Sequence, residues 1–80
     1  MEMTWILARD ARFRYMLLDL MRQDCEYFLG CGGRRPSELW AGDVDKHIAI
    51  MKAIWNSFEV KPEWLSLKEI EGFEQKMQRP

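Results

Sequence analysis

One carboxylate, one histidine, two cysteines, a glycine run and a set of arginines hold whatever chemistry this 80-residue chain could do. Asp24 sits among Phe13, Leu17, Leu20 and Phe28 on an ideal helical wheel, and a carboxylate on an apolar face must be paired or hydrogen-bonded. The expected donors are a Trp indole, the unpaired backbone N–H groups at another helix's start, or Arg34 or Arg35. A general acid or base would need a second catalytic group, and none lies near it in sequence. His47, the only histidine, falls between Ile54 and Met51 on another apolar stripe. It reads as a half-buried ring that packs on the core, turns one nitrogen to water or a carbonyl, and titrates near neutral pH. Zinc would require His47, Cys25, Cys31 and a fourth ligand to converge from separate elements, without the paired spacing of a metal box. Gly30-Cys31-Gly32-Gly33 is glycine-rich but follows a helix and lacks the Gly-Lys-Ser/Thr ending of a phosphate loop, so helix capping and chain reversal explain it. No catalytic residue, metal site or cofactor is expected.

The charge balance narrows the partners. Twelve Lys and Arg against 13 Asp and Glu give a net charge of −1, which removes the usual electrostatic case for nucleic acid or an anionic membrane. Every basic residue before Trp40 is an arginine, whose planar fork suits bidentate contacts, so Arg12, Arg22, Arg34 and Arg35 are the candidate contact residues. Ordinary helix-surface pairing of the six arginines with Glu2, Asp10, Asp19, Asp24, Glu26 and Glu38 is the competing explanation. Of the four tryptophans, three sit where a small core wants a large filler, and Trp5 is the one expected at the surface. Should Trp40 or Trp5 lie outside the core beside methionines, the apolar patch would favour a symmetric dimer. Both cysteines read as reduced thiols, and no basic leader or long apolar span is seen, which suggests a cytoplasmic protein without a membrane partner.

The elements that must position these residues are helical. Phe13, Leu17, Leu20, Met21, Cys25 and Phe28 recur at spacings of three and four, predicting a central helix over about 10–29 with Asp10 as N-cap and Gly30 as a left-handed C-cap. Pro36 suits the first position of a short turn near 36–40 that lays Leu39 and Trp40 over the core. Val44, Ile48, Met51 and Trp55 mark a helix over 44–57 capped by Asp43, and Ser66 with Glu69 forms a capping box for a helix over 67–77. The expectation is an all-α domain of three main helices spanning 10–80, preceded by an arm over 1–9 that is either extended or an early helical turn.

Several blocks carry a resemblance: Tyr15-Met16-Leu17-Leu18-Asp19, Arg22 through Gly30, Gly32-Gly33, Leu39-Trp40, Met51-Lys52, Trp55-Asn56-Ser57-Phe58, and Lys61 through Leu65 with Ile70. Together they resemble the large polyvalent-protein-associated domains, most closely the eleventh class, over roughly Phe13 to Met77. The resemblance implies an accessory module of phage or conjugative-element proteins and no reaction, since no catalytic residues carry over. The expected function is a non-enzymatic domain that binds a protein partner, as a monomer or homodimer. A nucleic-acid-associated accessory domain using the same arginines, or a free-standing inhibitor of a host defence system, is the alternative. A DNA-reading helix-turn-helix fits poorly, because the helix after the turn opens with Asp43-Val44-Asp45.

Overall fold

In the computed structural model, residues 3–30 and 34–78 are described, and all regular structure among them is helical. α1 (Met3–Ala8) leads into the long α2 (Ala11–Gly30), followed by a single 3-10 turn (Pro36–Glu38), α3 (Val44–Ser57) and α4 (Leu67–Met77). α3, rather than α2 as expected, lies at the centre, packed against α1, α2 and α4, while α2 also meets α4 and the 3-10 turn. The all-α architecture and its three main helices follow the spacing of apolar residues, with ends within a residue of the expected ones.

The helix starts are built from side chains. Asp10 accepts from the Phe13 N–H at 2.8 Å, Asp43 from the Lys46 N–H at 2.8 Å, and Ser66 and Glu69 complete a reciprocal capping box. α3 ends where the Lys61 ammonium donates to the Asn56 and Phe58 carbonyls, at 3.0 and 2.6 Å, satisfying acceptors that the last turn leaves unpaired. The Trp55 indole N–H donates to the Leu65 carbonyl at 2.9 Å and fixes the α3–α4 connection.

The core is one cluster: Ile6 from α1; Leu17, Leu18, Met21, Cys25 and Phe28 from α2; Leu39; Ile48, Ile50, Met51 and Ile54 from α3; and Leu65, Ile70 and Met77. Four expectations need correction. Leu20 is exposed rather than buried, because α2 buries only the half of its apolar arc that α3 and α4 can reach. Trp40 is also exposed, since Leu39 takes the inward position of the turn. Gly30 ends α2 without a left-handed conformation; the left-handed residues described are Arg34 (φ 59°) and Gly42 (φ 76°). His47 is fully buried rather than half-buried. The remarks on Cys31, Gly32 and Gly33 lie outside the described residues. The segment left open between arm and helical turn is helical over Met3–Ala8.

Candidate interaction site

Asp24 fixes the geometry of a groove on this surface. Its carboxylate, half-buried on α2, accepts from the Trp40 backbone N–H at 3.0 Å. The donor is a backbone N–H just beyond the 3-10 turn, and none of the expected ones: not a helix start, a Trp indole, Arg34 or Arg35. The bond holds the chain after Leu39 against α2 and sets the Trp40 indole beside the exposed face of that helix. The result is a groove of about 450 Å³ lined by Phe13, Met16, Leu17, Asp19, Leu20, Gln23 and Trp40.

The lining is apolar and open to solvent. Met16 is 63 % exposed, Leu20 46 %, Trp40 41 % and neighbouring Trp5 44 %, while Tyr27, further along α2, is 51 % exposed. Trp5 stacks obliquely on both Phe13 and Trp40, with ring centroids 6.0 and 6.5 Å apart, so α1 forms the groove's end wall. The Arg9 guanidinium lies 3.9 Å over the Phe13 ring. Single exposed apolar residues need no explanation, but a contiguous patch of this kind marks an interaction surface.

The arginines do not form a common patch. Arg22 is bound to Asp19 at 2.7 Å and Glu26 at 3.0 Å and lies over the Trp64 ring, and its pKa is raised first by the Asp19 bond. Arg34 donates to the Lys76 and Met77 carbonyls at 2.7 and 3.4 Å, closing the end of α4 from across the molecule. Arg12 and Arg35 are exposed, with no side-chain hydrogen bond or ion pair among the described residues. Asp19, within the groove, is held by Arg22 and by the Gln23 amide at 3.1 Å.

The remaining chemistry is structural. His47 Nε2 lies 3.0 Å from the Met21 carbonyl; a carbonyl only accepts, so Nε2 carries the proton and Nδ1 is left buried without a partner. Burial lowers the His47 pKa, opposed by the Met21 bond and the Asp24 charge. Burial also pushes the Cys25 thiol up to about 12, helped by Asp24 and Glu26, so it is a core side chain and not a nucleophile. Among the described residues no cluster of His, Cys, Asp and Glu could hold a metal ion, and no helix is long and apolar enough to cross a membrane.

The arginines, Trp5 and, conditionally, Trp40 stand out in the sequence as surface residues, whereas Met16, Leu20 and Tyr27 do not. Their signal was available: Met16, Leu20, Gln23 and Tyr27 repeat at helical spacing on a side of α2 distinct from Leu17, Met21, Cys25 and Phe28. Comparison with curated proteins and with solved structures returns no match. The family model of large polyvalent protein-associated domain 11 matches residues 11–77, which contain the groove's α2 face, the Asp24 tether and all the core helices except α1, and the chain belongs to this family.

Proposed function

We propose that this is a non-enzymatic accessory domain of a mobile genetic element, phage or conjugative, that docks a protein through the groove between α2 and Trp40. The carrying observation is the exposed apolar stretch of Met16, Leu20, Trp5 and Trp40, framed by a built polar tether rather than by loose loops. A net charge of −1 and the engagement of Arg22 and Arg34 within the fold support a protein partner over nucleic acid. A thiol held at high pKa, a histidine with no access to solvent and the lack of a nucleophile–base pair in the groove support a binding role over catalysis.

The test compares immobilised wild-type protein with a folded Leu20→Glu variant against extracts of candidate bacterial hosts to which tagged soluble wild-type protein has been added, with bound proteins identified by mass spectrometry. The expected result is a protein retained by wild type at about 0.05 M salt and again at about 0.3 M, where exposed charges are more strongly screened, and lost with the variant. Equal retention by both proteins, or retention only of nucleic acid that disappears with salt, overturns the reading.

A further inference from the structure

α2 carries two apolar faces, and only one is used inside the molecule. Leu17, Leu18, Met21, Cys25 and Phe28 face the core. Phe13, Met16, Leu20, Gln23 and Tyr27 follow one another at spacings of three, four, three and four, which is the seam of a two-helix coiled-coil contact, and all but half-buried Phe13 are exposed. Arg12, Asp19 and Glu26 recur every seven residues along one edge of that seam. We infer that the occupant of this face is a second copy of the same chain, bound through antiparallel α2 helices about a two-fold axis. This rests on the reading of the groove as a protein-docking surface and names its partner.

Charge selects the arrangement. In a parallel pair, Asp19 of each copy faces the partner's Asp24 and Arg12 faces the partner's Leu17, so carboxylates meet and no cation crosses the seam to them. An antiparallel pair centred between Met16 and Leu20 brings these two side chains against each other from opposite copies and sets Phe13 against the partner's Gln23. It also sets Arg12 against the partner's Glu26, twice by symmetry. Shifting that pair by one heptad one way would place Asp19 against the partner's Glu26, and shifting it the other way would set Leu20 against the partner's Arg9, outside α2. In the favoured register the two Asp19 side chains approach each other at the axis, and each already holds Arg22 at 2.7 Å, so the cluster there is charge-balanced. Glu26 also binds its own Arg22, at 3.0 Å, and its second oxygen remains available for the partner's Arg12.

The area matches. Large side chains present roughly 200 Å² each, so the exposed parts of Met16, Leu20, Tyr27, Trp40 and Trp5 amount to about 500 Å² of apolar surface per copy. Two copies together supply about 1,000 Å², the apolar share of a standard interface of about 1,600 Å².

The experiment measures mass by sedimentation equilibrium from about 1 to 500 μM, with circular dichroism to show that each variant is folded. Wild type is expected to double its mass with concentration. Leu20→Glu, and independently Met16→Arg, should weaken association by at least about 100-fold. Arg12→Glu alone and Glu26→Arg alone should each weaken it, whereas an equimolar mixture of these two chains restores the dimer, since both edge contacts of the mixed pair then join an acidic side chain to a basic one. A wild-type monomer throughout, a dimer indifferent to Leu20→Glu and Met16→Arg, or a mixture no tighter than its components overturns the inference. A monomer that still retains a host protein lost on Leu20→Glu separates this failure from that of the proposed function.

Discussion

Acidification should destabilise this protein through His47 by an amount that the buried ring fixes. The imidazole is fully excluded from solvent, donates from Nε2 to the Met21 carbonyl and leaves Nδ1 as an unpartnered lone pair. Protonation would create a buried charge and a buried N–H at Nδ1 with no acceptor among the described residues, so burial lowers the folded-state pKa below the ordinary 6.5. The sign follows directly. Below pH 6.5 the unfolded chain takes up a proton that the folded one refuses, so stability is fully present above 6.5 and falls with pH towards the lowered folded pKa. Each pH unit below 6.5 over which the folded ring refuses the proton costs about 1.4 kcal/mol. With a urea m-value of about 1 kcal/mol/M for a chain this small, the unfolding midpoint drops by about 1.4 M for each such unit. The carboxylates also titrate towards the lower end of this range, so the diagnostic quantity is the difference from His47→Leu. That variant keeps the helical acceptor role of the Met21 carbonyl and should lose most of the slope between pH 7 and 5.5. Identical slopes for both proteins would refute the argument.

Two further outcomes follow from local geometry. Ser66→Ala removes the oxygen that accepts from the Glu69 N–H at 3.1 Å and breaks the capping box, so it should cost about 1 kcal/mol and lower Tm by about 5 °C in calorimetry, with no change in helix content at about 20 °C, a temperature at which the domain stays folded. Cys25, buried with its thiol pushed up to about 12 and its Sγ 3.6 Å from the Met51 sulfur, should resist alkylation in a Cys31→Ala background at pH 8. Labelling should begin only as urea unfolds the chain, and rapid labelling of the native protein would contradict the core placement.

The elements were legible because their signals are local: apolar spacing of three and four marks each long helix, and Asp43 and the Ser66–Glu69 pair are hydrogen-bonding devices that act within one turn. The site was legible in part. That Asp24 needed a donor follows from its place on the wheel, but which donor depends on where the Pro36–Glu38 turn comes to rest, a nonlocal outcome that brought Trp40 N–H to it. Leu20 escaped because periodicity identifies an apolar arc without saying how much of it neighbouring helices can cover, and the side Trp40 takes depends on Leu39 filling the inward position of the turn. The depth of His47 escaped for a related reason, since only the close approach of α2 supplies the Met21 carbonyl that lets an imidazole enter a dry interior. Composition does not reveal that Arg34 closes a distant helix end or that Arg22 bridges two carboxylates on its own helix.

The family pattern begins at residue 11, yet the folding unit begins earlier. Ile6 is fully buried against the central helix, and Trp5 walls the groove. Anyone excising the module at the edge of its recognisable pattern, to graft it onto another protein or to express it alone, would remove a piece of its interior together with that wall. The transplantable unit includes the six residues of α1, and a graft cut at Ala11 should be a poorer, stickier object than the family boundary suggests.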